Sequence, residues 1–524
     1  MRRLILVLLS AFLSTASFGQ NGVGMLRLDP SFATSGIYVS PFNSFSDTPV
    51  ASHVLHFSRI TIAGKIQTAT PGQIQLGLLR LLSEGSEDLN FGVNGKAVLS
   101  WDAIDYANAI EVLDTSVTGK IVGAGASGSS DNPAALIPSI YRINPNGTPD
   151  SSFGVNGRTS VRYEDGSGGE FTRIDTARTT YTASGYSIPF SSNGVYGFGA
   201  MRFQLSGALD STFGTNGKAM IAAPIRFAKG FLRKDNSLFF VTIDSQTNEI
   251  LFCTFDGQGK LVTTFGTNGI LHSGVLLKKN TPIYSALHPS SPNFLVVLAQ
   301  LKDSPSDVPF TLIRFKEDGT RETSFGSQGF VSAPSYLALL EVSDLSLSND
   351  LSPIVVGSTD LGRKVSAVAK FVNKGKIDSS FGQAGFMSID AGNTTYPNSL
   401  ISFDAIGHDI QGTRKFIGVG TLNSSGNNNF YVCRYDSLQK NAVMPVSKPN
   451  LLIYPNPASS ITHILSDNEL QSVSVINAIG STVYVSNKQE NVSELDVSTF
   501  PDGIYFCRTT TNNGVSNQKL IVSR

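Results

Sequence analysis

The sequence predicts an all-β chain, and three observations carry that prediction. Fifty glycines accompany only six methionines, and no segment sustains the 3.6-residue period of an amphipathic helix. Short apolar runs recur between glycine turns: "GKIVGAG" at 119–125, "SLFFVTI" at 237–243, "NFLVVLAQ" at 293–300, "PIVVGS" at 353–358 and "RKFIGVG" at 414–420. One phrase also returns along most of the chain, as "DLNFGVNGK" at 88–96, "PDSSFGVNGR" at 149–158 and "LDSTFGTNGK" at 209–218. Further copies are "LVTTFGTNG" at 261–269, "RETSFGSQG" at 321–329, "IDSSFGQAG" at 377–385 and a worn "LDPSFATSG" at 28–36.

The 524 residues, 40% apolar, are enough for several domains or one large array with real cores. Forty basic and forty acidic residues cancel, so overall charge suggests no nucleic-acid partner and no anionic membrane. Arg2 and Arg3 precede the apolar run Leu4–Leu13 and a small, polar stretch, the pattern of a signal peptide over residues 1–19 cleaved near Gly19. That run is too short for a transmembrane helix, and no transmembrane segment is expected. The three cysteines, Cys253, Cys433 and Cys507, are no disulfide framework, so packing must supply stability.

Aligned on phenylalanines 32, 91, 153, 213, 265, 325 and 381, the repeat has a mean period of about 58 residues, in the range of propeller blades or other stacked arrays. A glycine follows each Phe by four residues, often after Asn, and six repeats carry another six residues before it. Asn-Gly favours a turn with positive φ, after which an apolar residue resumes the chain as a strand. With the intervening runs, each unit has room for four short strands, one blade.

A charge pattern runs through the repeat. Eleven residues before Phe stand Arg80, Arg142, Arg202, Thr254, Arg314 and Lys370; three before it stand Asp88, Asp150, Asp210, Val262, Glu322 and Asp378. Base and acid are lost together at Thr254 and Val262, as expected of ion pairs whose broken half would be costly away from water. Asp29 has Asn21 where its basic partner should stand, and Arg434 lies in phase in "FYVCRYD" without a following acid. The expectation is that Arg434 meets Asp29 in one shared blade, closing a seven-bladed β-propeller over residues 20–438 and removing its exposed edges.

The phrase R-x4-G-x2-D-x2-F-G-x2-G, as in Arg202 to Gly217, resembles the delta-60 repeats of exported bacterial propeller-like proteins. That resemblance covers roughly residues 22–440 and implies a fold without an activity. Residues 439–449 read as a linker. Residues 450–524 then alternate as a small Ig-like β-sandwich, with turns at Ile479-Gly480 and Asp502-Gly503. This segment looks like the type A sorting domain of the type IX secretion system. The motifs are Tyr454-Pro455-Asn456-Pro457, "NAIGSTVY" with Gly480, "PDGIY" with Gly503 and Tyr505, and "KLIV" beginning at Lys519. The resemblance implies passage across the outer membrane, with secretion machinery there as partner, and release or attachment at the cell surface.

Catalytic patterns are weak. "GAGASG" at 123–128 satisfies G-x-G-x-x-G without opening a helix to hold phosphate. His53 and His56 would face opposite ways on a strand. Histidines 272, 288, 408 and 463 are scattered, so neither metal nor cofactor is expected. There is no G-x-S-x-G elbow. Divergent segments after the FGxxG turns are the candidate binding surface. Trp101, Asp102, Tyr163 and Asp165 suit contact with a glycan or a protein ligand. The sequence therefore reads as an exported interaction or structural module, with a secreted, glycan-directed enzyme as the alternative.

Overall fold

The computed structural model describes residues 26–437 and 451–524, apart from 41, 43–44, 56–58, 114–118, 131, 133–134, 164–165, 178, 189–196, 288–294, 306–307, 349, 361–363, 383, 390–397, 409–413, 425–426, 479–480, 488–489 and 512–513. The expected signal peptide and linker lie outside these residues, as do His56, Asp165, His288 and Gly480. Among the described residues the chain is all-β, relieved by a 3-10 turn at Ser335–Leu337. It divides into two compact units after Gln439.

The first unit is built from antiparallel four-strand meanders. Asp47–Leu55, Arg59–Gln67, Ile74–Leu82 and Lys96–Leu99 form one; Ile104–Val112, Ile121–Gly128, Ile137–Ile143 and Arg158–Ser160 form the next, joined to it by a single parallel bridge from Ile74 to Ile104. Four more follow in chain order, beginning at Gly168, Ile225, Tyr284 and Glu341. The remaining sheet contains Asn398–His408, Arg414–Ser424 and Asn427–Ser437, and its outer edge is completed by Leu26–Leu28 and Ile37–Ser40 from the other end of the unit.

The recurrent phrase makes the last corner of each meander. In the first, Val93 and Lys96 exchange backbone hydrogen bonds of 2.8 and 3.1 Å across Asn94 and Gly95, whose φ values are 50° and 75°. This is a two-residue turn with both central residues left-handed, which explains the Asn-Gly preference. The glycine after Phe is equally constrained. Gly154 has φ +53°, and a Cβ there would lie 2.2 Å from the Arg158 carbonyl oxygen. The worn first copy holds Ala33 in the same region at φ 45°.

The middle strands are apolar on both faces because sheets cover both of them; Ile121–Gly128 is buried throughout. Its "GAGASG" glycines serve close packing: a Cβ on Gly125 would lie 2.1 Å from the Tyr106 carbonyl oxygen. Hydrophobic clusters bridge each meander to the next, for example Val122 and Ile140 against Phe171 and Tyr181. One such cluster joins Ile417, Val419, Phe430 and Val432 of the terminal sheet to Ile60, Ile62, Leu79 and Leu81 of the first meander. Each buried aliphatic or aromatic side chain contributes about 1.5–3 kcal/mol. The three cysteines are buried and unbonded to one another.

The second unit is one antiparallel sheet ordered Leu451–Tyr454, Ile461–Asn477, Gly503–Thr511 and Gly514–Val522; Thr482–Ser486 and Glu490–Asp496 also pair with the long second strand. Its core includes Ile464, Val475, Leu495, Tyr505, Cys507 and Leu520.

Candidate functional site

Two polar arrangements stand out in the first unit. One is a clasp built from the repeat charges. Arg80 Nε lies 2.9 Å from Asp88, Arg142 Nε 2.6 Å from Asp150, Arg202 Nε 2.7 Å from Asp210, Lys370 Nζ 2.7 Å from Asp378 and Arg434 Nε 2.7 Å from Asp29. Each of the five repeat arginines also lies over the Phe of its own phrase, 4.2 to 4.9 Å from the ring centroid. The guanidinium then reaches the following repeat. Arg142 donates to the Leu205 carbonyl, Arg202 to that of Gly257 at 2.7 Å, Arg314 to that of Asn373 at 2.6 Å and Arg434 to that of Ser83. The planar fork of Arg thus ties three elements at once, which a lone ammonium could not do.

Second cations share three of these carboxylates: Arg59 on Asp88, Lys120 on Asp150 and Lys415 on Asp29. Burial raises the Asp150 carboxyl, but hydrogen bonds from Lys120, Ser152 and Arg142 outweigh it and hold it well below the usual carboxylate range. Asp29, bonded by Lys415 and Ser31 beside Arg434, is lowered in the same way. Glu322 is lowered too, chiefly by the Ser324 hydroxyl, with Arg314 adding electrostatic support.

The repeat that lacks Arg at Thr254 recruits another. Arg233, from the turn between its first two strands, lies 4.5 Å over Phe239 and donates at 2.9 Å to the carbonyl of Glu317. Glu317 stands eight residues before its phrase's Phe, as Leu205, Gly257, Asn373 and Ser83 do before theirs. A cavity of about 430 Å³ lies beside this substitution, lined by Arg233, Thr254, Phe265, Lys316 and Glu322 among others.

The other arrangement runs along the first strands of the meanders, several of which are mutual neighbours, including 104–112 with 168–176 and 341–347 with 398–408. Six of these strands skip one residue in their pairing, at positions 50, 108, 172, 226, 343 and 401. Such bulges re-aim the side chains that follow. Three residues past the skip stand His53, Glu111, Asp175, Lys229, Ser346 and Asp404.

Ionic contacts run along and between these strands. His53 Nδ1 lies 3.3 Å from Glu111 and Arg173 lies 2.7 Å from Asp175. The Glu111 charge reaches Arg173, and Asp344 and Asp175 both act on Lys229. Burial lowers the Lys229 ammonium against the opposing pull of Asp344, and burial raises the Asp344 carboxyl against that of Lys229. Lys229 also donates to the Ser285 carbonyl at 3.0 Å. Nearby first strands hold a second polar knot: Glu170 accepts from the Tyr106 hydroxyl and the Asn108 amide, each at 2.8 Å, and from Tyr186. The Lys65 ammonium lies 3.8 Å over the Tyr106 ring.

The loop candidates sit in the scaffold as follows. Trp101 is half-buried against Tyr141, ring centroids 5.1 Å apart, and its indole N–H donates to the Asn156 carbonyl at 2.8 Å. Asp102 accepts from Arg158 at 2.6 Å and keeps 42% of its side chain exposed. Tyr163 is buried in the cluster between the second and third meanders. Among the described residues no group of three His, Cys, Asp or Glu side chains could hold a metal ion, and no helix is long and apolar enough to cross a membrane.

In the second unit Asn456 ties the Tyr454-Pro455-Asn456-Pro457 corner to the final strand. Its amide donates to the Lys519 carbonyl and its carbonyl accepts from the Ile521 N–H, both at 2.8 Å. Tyr505 is buried and donates to the Pro501 carbonyl at 2.8 Å, while Tyr454 is exposed beside His463. Gly503 opens the strand that carries Tyr505.

Residues 452–523 match the secretion system C-terminal sorting domain, and residues 118–153 match a β-propeller domain of unknown function (DUF5122). No curated protein matches the chain. Among solved structures, a surface component of the type IX secretion system, PorZ of Porphyromonas gingivalis, is similar at 9% identity and a TM-score of 0.22, covering 91% of this chain and 81% of its own. The polysaccharide lyase Uly1 is similar at 10% identity and 0.39, covering 81% and 94%. An α-L-arabinanase of Penicillium chrysogenum is similar at 10% and 0.37, covering 67% and 98%. The chain is a β-propeller protein with a type IX secretion sorting domain, exported through the periplasm to the cell surface or beyond.

Proposed function

We propose that residues 20–438 form a seven-bladed ring of delta-60-like repeats, closed by Leu26–Leu28 and Ile37–Ser40, which serves outside the cell as an interaction or structural module. Residues 1–19 act as the signal peptide, 439–449 as the linker, and 450–524 as an Ig-like sandwich that engages the outer-membrane secretion machinery. The ring reading rests on the pairing of these two strands with Asn427–Ser437. Repeated ion pairs, including Arg434 with Asp29, act as its structural clasps.

The observation that carries the module reading is the charge-compensated band on the first strands. Glu111 faces His53 and Arg173, Asp175 faces Arg173, and Asp344 faces Lys229. A band of alternating acidic and basic side chains suits recognition of a polar glycan or protein ligand. Asp102 and Trp101, with Tyr163 and Asp165 on the following segment, add a second contact region on the rim.

A glycan-directed enzyme is the second reading, and one feature favours it: Asp344 is raised and Lys229 lowered by burial, each acting on the other's charge from first strands two meanders apart. Glycan and peptide arrays probed with the chain lacking residues 1–19, beside a hydrolase and lyase panel, separate the two. Retained ligand without turnover, lost in Lys229→Met, supports the module. Turnover whose pH profile changes in Asp344→Asn supports the enzyme.

A further inference from the structure

A cavity of about 550 Å³ opens between the third and fourth meanders, at the Arg202–Asp210 clasp. Its walls carry Thr180, Thr182, Asp235, Asn236 and Gln258 beside that pair, over Phe213. The strand register shows that, among the described residues, Asp210 lacks the second cation found on three other repeat carboxylates. Lys120 stands two residues before Val122, the partner of Arg142; Lys415 stands two before Ile417, the partner of Arg434; Arg59 stands two before Thr61, the partner of Arg80. The equivalent residue in the third meander is Thr180, two before Thr182, the partner of Arg202.

In those three repeats that position places a cation on the carboxylate oxygen that the repeat arginine also holds, at 2.9 Å for Arg59 and 2.6 Å for Lys120 and Lys415, whereas in the fourth and sixth meanders it is Ser237 and Ser352. A threonine cannot span that distance. Asp210 accepts from Arg202 and Thr212, and Asp235 accepts from Ser237. Among the described residues the lining therefore holds two carboxylates against one guanidinium, with hydroxyl and amide groups around them.

We propose that this cleft binds an amino sugar, its primary ammonium seated on Asp210 where Lys120 and Lys415 place theirs in their own repeats. The hydroxyls and amides of the wall supply partners for the sugar hydroxyls. The site is separate from the band on the first strands, and its failure would leave the module reading intact.

The test is calorimetric titration of the chain lacking residues 1–19 with glucosamine, N-acetylglucosamine and lysine amide at neutral pH. Saturable binding of glucosamine, at least tenfold tighter than that of its acetylated form, is expected. Thr180→Lys places the protein's own ammonium in the cleft and should abolish that binding while keeping the chain folded, whereas Thr180→Ser should retain it. Equal binding of both sugars, preference for lysine amide, or full binding by Thr180→Lys would each overturn the proposal. Arg178 lies outside the described residues, so Arg178→Ala is included. If that variant binds and the parent does not, Arg178 is the natural occupant and the site is not a ligand site.

Discussion

Asp150→Asn isolates the charge of one clasp with almost no change in shape. The asparagine keeps an oxygen for the Ser152 N–H and hydroxyl, which Asp150 Oδ1 now accepts at 3.1 and 2.7 Å. What is lost is the negative partner of Arg142, whose side chain is 9% exposed, and of Lys120, which is 40% exposed. Lys120 can turn to water; Arg142 cannot, although it keeps the Leu205 carbonyl and the Phe153 ring. Breaking a buried pair costs about 3–5 kcal/mol, and these retained contacts place the cost near the lower end. That is roughly a 150-fold fall in the folding equilibrium constant. Equilibrium urea unfolding reads it directly, because Trp101 is the only tryptophan and packs on Tyr141 in the same repeat. Asp210→Asn, at a pair 17% and 12% exposed with one cation, should cost about half as much. The reasoning is refuted if Asp150→Asn costs less than Asp210→Asn, or less than about 0.5 kcal/mol, the scale of an ordinary surface change.

The clasps also set an acid limit. Asp29, Asp88, Asp150, Asp210 and Asp378 are all lowered in the folded chain, so their contribution is full above the unfolded carboxylate value of about 3.9 and lost as pH falls through the folded values. The urea midpoint should fall steeply below about pH 4, with Asp105 and Asp344, both raised by burial, opposing the trend. Arg233→Met should destabilise the fourth repeat, while Arg321→Met, at an exposed donor to the Gln328 carbonyl, should change little; proteolysis near Glu317 is the readout. Gly154→Ala forces a side chain into the left-handed region and against the Arg158 carbonyl, costing about 1–3 kcal/mol before any clash, so its urea midpoint should drop well below that of Thr172→Ala on the half-buried skipped position of a first strand.

The repeat corners were legible because each is enforced by backbone geometry. Asn94 and Gly95 must both be left-handed, and no other side-chain pair does this as cheaply, so the sequence keeps the phrase visible. Cluster residues such as Phe153 were legible for a similar reason, since one buried ring anchors each corner. The band on the first strands was not legible. His53, Glu111, Asp175 and Lys229 fall into one register only after a skipped residue that no composition marks. Arg233 was not legible because it comes from a turn between the first two strands, whereas the arginine it stands in for lies on the third. The cleft at Thr180 was hidden for a third reason: its signal is a missing cation at a position whose role shows only when Lys120 and Lys415 are seen on their carboxylates.

The most direct test of closure uses a cysteine the chain already has. Ile37 and Cys433 are direct cross-strand partners flanked by the hydrogen bond from Arg434 N–H to the Gly36 carbonyl, and both face the same cluster. Partners of this kind in antiparallel strands have Cα atoms about 4.5 Å apart, within the span of a disulfide. Burial pushes the Cys433 thiol up to about 11, so a strong oxidant such as copper phenanthroline is needed. In Ile37→Cys, oxidation of the folded chain should yield a peptide linking positions 37 and 433, absent after reduction and absent when the chain is oxidised in urea. A folded chain in which both thiols stay free, or in which position 37 links to Cys253 instead, would contradict a ring completed by the two ends of the first unit.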